Sequence, residues 1–214
     1  VVRGDEWLPT LPFHIQLFKA LGFKLPKYVH IGPLMKMDGN SKRKLSKRKD
    51  PELALTFYKA EGFPVEAVYE YIMTILNSNF EDWRKTNKDA DINAFPFNLK
   101  KMSVSGALFD MVKLNDVSKN IISVMPAKKV YDYTVTWAKD YDKDFYELLI
   151  RDEEYSVNIL NIDRETPKPR KDIACFSEVK DYISYFFDEI YEKNYELPEN
   201  ITSDMAKEIL DAYL

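Results

Sequence analysis

The sequence has 214 residues, a formal net charge of −4 and a hydrophobic content of 45%. This length and composition indicate a folded chain with a sizeable core and argue against a largely disordered protein. No apolar run reaches the roughly eighteen residues that a membrane-spanning helix needs. The single cysteine, Cys175, excludes an internal disulfide and favours a reducing, cytoplasmic environment.

The first 32 residues predict a strand end, a helix and a second short strand. Residues 1–4, with two β-branched side chains followed by Arg and Gly, have the pattern of a strand that enters a loop. The stretch 11–20 has Pro12 in its first turn and Gly22 just after its end, which predicts a helix. The alternating stretch 27–32 predicts the second strand.

A basic segment follows, at residues 36–49. It contains seven Lys and Arg residues against one acid, Asp38, so its local charge is +6 and the rest of the chain carries −10. The Asp-Gly pair at 38–39 predicts a turn within it. A basic segment in an acidic chain indicates a local contact with a polyanion.

From residue 50 to residue 125 the periodicity is helical. Asp50 is predicted to cap a helix that begins at Pro51 and ends at Gly62. A helix at 64–76 is expected to bury an apolar face formed by Val65, Val68, Tyr69, Ile72 and Leu76. A short helix is predicted at 80–87, and further helical pieces at 95–125, broken by Ser-Val-Ser-Gly at 103–106.

A second helical block begins at Pro126. Val130, Tyr133 and Trp137 recur at helical spacing. The two prolines in 166–171 predict an exposed loop there. The other helices predicted in this block are 144–151, 153–160, 178–193 and 204–213, the last capped by Ser203. The fold class expected from the whole pattern is mainly α.

The basic segment has a chemical use that its composition indicates. Closely spaced lysines on a mobile loop can fold over a triphosphate and neutralise the charge that develops on the α-phosphate and on departing pyrophosphate. Ser46, a small residue between lysines, lets the backbone approach a phosphate and adds a hydroxyl donor. The alternative interpretations are a solvated basic loop and a nonspecific nucleic-acid patch.

Four stretches carry a family resemblance. Lys-Leu-Ser-Lys-Arg at 44–48 resembles the KMSKS signature of class I aminoacyl-tRNA synthetases, in the form typical of glutamyl-tRNA synthetases. The segments 1–14 and 20–34 are similar to the family's sequence before that loop, in the same order and spacing. Ser-Gly-Ala-Leu-Phe-Asp-Met-Val-Lys-Leu-Asn at 105–115 looks like the family's helical region after it.

The resemblance implies a fold and a domain division. The chain is expected to hold a remnant of a class I Rossmann-type catalytic domain at 1–49, a helical stem-contact region at 50–125 and part of a helical anticodon-binding domain at 126–214. The string His-Ile-Gly-Pro at 30–33 ends in Pro and lies close to the basic segment, so we interpret it as a strand end and not as the family's HIGH motif. The expectation is a C-terminal fragment that lacks the HIGH-containing half and is inactive alone.

The resemblance also implies roles for the loop residues. Lys44, Ser46 and Lys47 match the residues that grip the ATP phosphates during catalysis, with Lys47 also counted among the nucleotide contacts. Arg48 belongs with the ATP-binding residues, and with Lys49 it adds positive charge or contacts the acceptor stem. No residue is required as a nucleophile, because in the family the substrate carboxylate attacks ATP.

Five further positions match residues near the substrates in the family. Arg3 matches an arginine that holds glutamate, and a guanidinium suits a carboxylate because it can bind it through two hydrogen bonds. Glu6 matches a contact to the ribose or the adenine, whereas Trp7 matches either a nucleotide contact or a core anchor. Leu34 and Met35 match the strand end that binds adenine through backbone groups.

The cofactors and partners follow from the same resemblance. ATP is expected, with Mg²⁺ held mainly by the ATP phosphates, and the sequence shows no protein-built metal site. Glutamate and a glutamate-acceptor tRNA are the expected substrates, and a glutamine-acceptor tRNA stays open. The parent is expected to be a cytoplasmic monomer without a membrane partner. Three basic clusters could meet tRNA phosphates or be ordinary solvated surface: 83–88, Lys100 with Lys101, and 168–171.

The main alternative comes from a different class. A standalone, non-catalytic module that binds tRNA or other RNA and descends from such a synthetase would keep the basic loop and the helices without the reaction. A glutaminyl enzyme fits less well, because residues 3–7 and 44–48 have the glutamyl form.

Overall fold

Two small sheets form within the first 108 residues of the computed structural model, which describes residues 1–192, 197 and 199–213. In the first sheet, β1 (Val2–Gly4) pairs in parallel with β2 (Val29–Ile31). In the second, β3 (Leu34–Asp38) lies between antiparallel β4 (Ser41–Lys44) and parallel β5 (Ala107–Leu108). The strand predicted at 27–32 and the strand end at 1–4 are confirmed.

The connection from β1 to β2 is helical. A 3-10 helix (Asp5–Thr10) leads into α1 (Leu11–Ala20), which has Pro12 in its first turn, so the predicted helix is confirmed. Proline is tolerated there because the amide it lacks would have no helical partner. A parallel strand pair needs such a crossover, since a short turn cannot return the chain to the same direction.

Four helices fill the chain from 51 to 125. They are α2 (Leu55–Glu61), α3 (Val65–Leu76), α4 (Phe80–Thr86) and α5 (Met111–Ser123), with 3-10 turns at Pro51–Leu53, Ile92–Ala94 and Leu99–Lys101. Gly62 ends α2 in a left-handed conformation, as predicted. The predicted face of α3 is partly wrong: Val65 and Tyr69 are exposed, and Ala67 and Tyr71 are buried instead.

The motif at 105–115 builds a junction between sheet and helix. Gly106 has a positive φ of 87°, and a side chain there would collide with the carbonyl oxygen of Pro33. After β5, the backbone amide of Asp110 donates to the Tyr71 hydroxyl at 2.6 Å, and the Asp110 carboxylate caps α5 by accepting from the amide of Val112. Burial raises the pKa of Tyr71 to about 12, so its hydroxyl stays neutral in this contact.

The second helical block is also largely as predicted. It contains α6 (Ala127–Tyr141), α7 (Lys143–Arg151) and α8 (Glu153–Leu160), followed by a non-helical stretch that includes 166–171 and by a 3-10 turn at Phe176–Glu178. The rings of Tyr133 and Phe176 stack at 5.1 Å, and the Trp137 indole donates to the carbonyl of Ala60 at 2.7 Å. The stacked rings join α6 to the 3-10 turn, and the indole hydrogen bond joins α6 to α2.

The chain divides into two compact units, Val1–Val179 and Lys180–Leu214. The single helix predicted at 178–193 is wrong. Helix α9 (Val179–Ile183) gives way to a 3-10 turn at Ser184–Phe186, and Phe187 has an extended backbone; residue 193 lies outside the described residues. The sequence at 178–193 is rich in aromatic residues, which have weak intrinsic helix propensity, and this favours the break in the helix.

Helix α10 (Ser203–Tyr213) lies in the second unit. Its cap differs from the prediction by one residue: the Thr202 hydroxyl, not Ser203, accepts from the backbone amide of Met205 at 3.3 Å. No helix in the described part of the chain is long and apolar enough to cross a membrane.

Candidate functional site

The basic segment folds as a β-hairpin followed by a turn. It begins in β3 and continues into β4, which pairs antiparallel with β3, and the basic turn (residues 45–50) follows. The prediction of a mobile loop is therefore wrong for residues 41–44. Strand formation was not visible in the sequence because Ser-Lys-Arg-Lys has no apolar alternation for a strand pattern to show.

Leu45 anchors the start of the basic turn. Its backbone amide donates to the carbonyl of Leu34 at 2.9 Å, and its side chain is only 5% exposed. It packs in a hydrophobic cluster with Tyr71, Phe109 and Leu114. Burying a leucine side chain of this kind contributes about 1.5–3 kcal/mol, so the turn begins at a fixed point.

Asp50 closes the other end of the turn. Its carboxylate accepts two hydrogen bonds from the Arg43 guanidinium, at 2.6 and 2.8 Å, and one from the backbone amide of Ser46 at 2.8 Å. The guanidinium first, and the Ser46 amide second, hold the pKa of this carboxyl well below its usual range. The predicted helix cap is therefore wrong: Asp50 precedes a 3-10 turn, and its side chain makes no capping bond to it.

Two of the seven basic side chains are neutralised within the fold. Arg43 also donates to Asp38 at 2.9 Å, and Lys36 forms an ion pair with Glu52. The hydrogen bond to Glu52 raises the pKa of Lys36. These two cations stabilise the hairpin, so they are not available to an external anion.

The remaining basic side chains point into solvent. Because side chains alternate along a strand, Lys42 and Lys44 lie on the face of β4 opposite Arg43. The exposed cations of the segment are Lys42, Lys44, Lys47, Arg48 and Lys49. Within the described residues, four of these five make no ion pair, and the exception is Lys44, which lies 3.3 Å from Glu6.

Glu6, Trp7 and Arg3 lie close together at the end of β1. The Arg3 guanidinium lies 5.0 Å from the centroid of the Trp7 ring, a cation–π contact. The Trp7 side chain is 45% exposed, so in this structure it is not a buried core anchor. The ion pair between Glu6 and Lys44 joins this group to the last residue of β4, directly before the basic turn.

Leu34 and Met35 lie in the middle of the second sheet. The carbonyl of Leu34 accepts from the amide of Leu45 at 2.9 Å, and the carbonyl of Met35 accepts from the amide of Phe109 at 2.7 Å. Each carbonyl retains a second lone pair. Gly32 of the string at 30–33 has a backbone role, because a Cβ atom there would lie 2.5 Å from the amide nitrogen of Gly106.

Arg84, in one of the three basic clusters that could meet tRNA phosphates, has its side chain used inside the fold. Arg84 donates to the Glu70 carboxylate and to the carbonyls of Asn87 and Ala90, and its guanidinium lies 4.9 Å from the Trp83 ring centroid. Lys85 and Lys88 of the same cluster are exposed. Lys100 and Lys101 are exposed in a 3-10 turn, as an external contact requires.

Sequence reasoning missed Asp50 and Glu52 as the internal counter-ions of the basic segment. Both are buried acids, a class that proteins retain only when it is paired. A signal was present: the few acids close to a dense basic run are candidates to be its internal counter-ions. The resulting arrangement, exposed lysines on a base held at both ends, suits the binding of a phosphate chain.

The family comparison agrees with this architecture, which is that of a class I aminoacyl-tRNA synthetase. Residues 1–116 match the family described as tRNA synthetases class I (E and Q), catalytic domain. The chain belongs to this family.

Two relatives that cover the whole chain carry one name. The chain is 54% identical over 217 aligned residues to a glutamate–tRNA ligase of Clostridium beijerinckii and 52% identical over 214 to one of Acetivibrio thermocellus, with the whole chain covered in both cases. The chain spans 39% of the length of each.

A solved structure shows the same fold. A crystal structure of a glutamate–tRNA ligase from Elizabethkingia meningosepticum, in complex with its amino acid, aligns with 97% of this chain and 40% of its own. The TM-score is 0.60 and the sequence identity is 19%, so this similarity concerns the fold alone.

Proposed function

We propose that this chain supplies the phosphate-binding turn and adjoining helices of a glutamate–tRNA ligase. A glutamate carboxylate oxygen attacks the α-phosphorus of ATP, pyrophosphate leaves, and glutamyl adenylate forms. A ribose hydroxyl of tRNA then attacks the adenylate carbonyl, and AMP leaves. One observation carries the proposal: the exposed cations of the basic turn stand on a fixed base, in a chain 54% identical throughout to a glutamate–tRNA ligase.

In this proposal Lys44, Ser46 and Lys47 bind the ATP phosphates. Lys47 is exposed in the turn, where it can move towards the charge that grows on the α-phosphate and on pyrophosphate. A charge-assisted hydrogen bond is worth about 1.5–3 kcal/mol. If it forms only in the transition state, it accelerates the reaction by about 10- to 100-fold.

In this proposal the nucleoside and the amino acid bind next to the turn, at the group formed by Arg3, Glu6 and Trp7. Glu6 and Trp7 contact the ribose or adenine, Leu34 and Met35 offer backbone groups, and Arg48 adds a contact to ATP. The 3.3 Å ion pair between Glu6 and Lys44 supports this, because the residue proposed to bind the nucleoside lies beside a residue proposed to bind the phosphates. Arg3 binds the glutamate carboxylate.

Mg²⁺ enters with ATP in this proposal. Among the described residues, no group of three or more His, Cys, Asp and Glu side chains could hold a metal ion. The chemistry of the site fits a cation bound mainly by phosphate oxygens, with water completing its shell. The ion would neutralise phosphate charge, while the lysines of the turn orient the same phosphates.

The domain roles are part of the proposal. Residues 1–49 belong to the catalytic domain, residues 50–125 contact the acceptor stem of tRNA, and residues 126–214 belong to an anticodon-binding domain. The names of the relatives favour this enzyme over a standalone RNA-binding module. A glutamine-acceptor tRNA, a monomeric state and a cytoplasmic location stay predictions.

The test is amino-acid-dependent ATP–pyrophosphate exchange by the complete product of the gene that encodes this chain. We expect exchange with glutamate and none with aspartate, and we expect the 214-residue chain alone to show none. A complete, folded gene product that shows no exchange with glutamate, with and without added tRNA, would refute the proposal.

A further inference from the structure

We propose that Asp50 is a positioning residue that sets the geometry of Ser46 and Lys47 during ATP activation; this rests on the function proposed above. The Asp50 side chain is 1% exposed, so it does not reach a substrate itself. It acts through the backbone of the basic turn.

Asp50 holds Ser46 by two separate hydrogen bonds. The Asp50 carboxylate accepts from the Ser46 amide at 2.8 Å, and the Asp50 amide donates to the Ser46 carbonyl, also at 2.8 Å. The amide of Lys49 donates to the same carbonyl at 3.0 Å. Both peptide groups that flank Ser46 are therefore held in place by residues 49 and 50.

Asp50 is itself fixed from the opposite side by Arg43. Arg43 binds both carboxylate oxygens and also donates to Asp38 across the hairpin. A planar guanidinium bound to a carboxylate in this two-bond geometry fixes the orientation of both groups. The Asp50 carboxylate therefore holds the turn in a fixed position relative to the sheet.

Lys47 follows Ser46 directly, and its side chain is exposed. Its backbone position is therefore set by Leu45 on one side and by Asp50 on the other. A displacement of about 1 Å at a reacting group can lower a rate by about 100-fold. A change at Asp50 is thus expected to act on the chemical step.

A purely structural role is the competing explanation, and Glu52 provides the matched control. Glu52 is also a buried acid, 5% exposed, two residues further along the chain. Its carboxylate pairs with Lys36 on β3, and the Lys36 amine also lies 3.7 Å from the Asp50 carboxylate, whereas the Ser46 amide is held by Asp50. Loss of its charge should weaken the fold without displacing Ser46.

The experiment compares Asp50→Asn with Glu52→Gln in the complete gene product, by glutamate-dependent ATP–pyrophosphate exchange and by thermal unfolding. We expect Asp50→Asn to lower kcat by about 10- to 100-fold with the KM for glutamate unchanged. Glu52→Gln should keep kcat within about twofold while lowering the unfolding temperature. Full kcat in Asp50→Asn, or an equal loss of kcat in both variants, would overturn the proposal.

A second variant covers the case in which Asp50→Asn does not fold. Asp50→Glu keeps the negative charge and its pairing with Arg43, but it moves the acceptor of the Ser46 amide by one methylene. In a cooperatively folded Asp50→Glu protein we expect kcat to fall about tenfold, and wild-type kcat would overturn the proposal. If the wild type itself lacks exchange, the proposed function fails; if only the Asp50 variants remain fully active, this inference alone fails.

Discussion

The side-chain amine of Lys44 lies 3.3 Å from the Oε2 atom of Glu6, a residue 38 positions earlier in the chain. The contact joins the last residue of β4 to the 3-10 helix after β1. Both side chains are about half exposed, so water screens their attraction. Its main consequence is geometric: it brings Glu6, which we propose binds the nucleoside, next to Lys44, which we propose binds the phosphates.

Removal of Lys44 should raise the pKa of Glu6. That pKa is lowered first by the backbone hydrogen bond of Glu6 and second by the hydrogen bond from Lys44. Because a cation beside a carboxylate favours the ionised form, Lys44→Ala should shift the Glu6 titration to higher pH, while the backbone bond preserves part of the lowering. NMR titration of the Glu6 side-chain carboxyl carbon measures the shift. Lys42→Ala, on the same face of β4, is the control, and an unchanged Glu6 titration in Lys44→Ala would contradict the ion pair.

Lys47→Ala should slow adenylate formation without affecting the fold. In the complete gene product we expect the kcat of glutamate-dependent ATP–pyrophosphate exchange to fall by about 10- to 100-fold, because one transition-state hydrogen bond is lost. The free energy of unfolding should change by less than about 0.5 kcal/mol, since the side chain is exposed.

The control for Lys47 is an exposed lysine outside the turn. Lys59 makes an exposed ion pair with Asp140 at 3.2 Å, so Lys59→Ala should leave exchange intact. A loss of folding in Lys47→Ala with unchanged specific activity would show that Lys47 supports the structure and not the phosphates.

The sequence predicted the outward face of the basic segment but not its inward face. The two lysines that the resemblance marks as phosphate contacts, Lys44 and Lys47, are both exposed. Arg43 and Asp50 lie seven residues apart, and their pairing depends on the hairpin that turns Arg43 inward. Local propensity alone favoured Asp50 as a helix cap, and a buried ion pair overrode that preference.

Periodic helices were predicted well and short pairings were not. Helix α8 begins and ends where the pattern placed it, because its apolar spacing is regular. Strand β5 has two residues and no periodicity of its own; only its register against β3 defines it. Arg84 shows that the prediction of function has the same limit. A basic residue beside a tryptophan looks the same in a sequence whether it binds RNA or a neighbouring glutamate.

Arg84 should be a stability residue. It is 21% exposed, pairs with Glu70 and donates to the carbonyl of Ala90 at 2.7 Å. Arg84→Lys should lower the free energy of unfolding by about 2–3 kcal/mol, since a lysine keeps the charge but cannot make the forked contacts. Chemical denaturation measures the loss. Lys85→Ala, which removes an exposed pair with Asp82, should change the same free energy by less than about 1 kcal/mol, and equal effects of the two substitutions would contradict the internal role of Arg84.

Gly106 should tolerate a side chain less well than Gly22, although both have positive φ. A Cβ atom at Gly106 would meet the carbonyl oxygen of Pro33 and lie 2.9 Å from a side-chain carbon of Met35, whereas the space around Gly22 is open to 4 Å. Gly22→Ala therefore carries only the conformational penalty, about 1–2 kcal/mol. Gly106→Ala adds the collision, about 1–3 kcal/mol more, because β5 must move away from β3. Denaturant unfolding of the two variants gives the difference. Equal losses would show that β5 can shift freely, and the junction of sheet and helix that leads into α5 would then not be rigid.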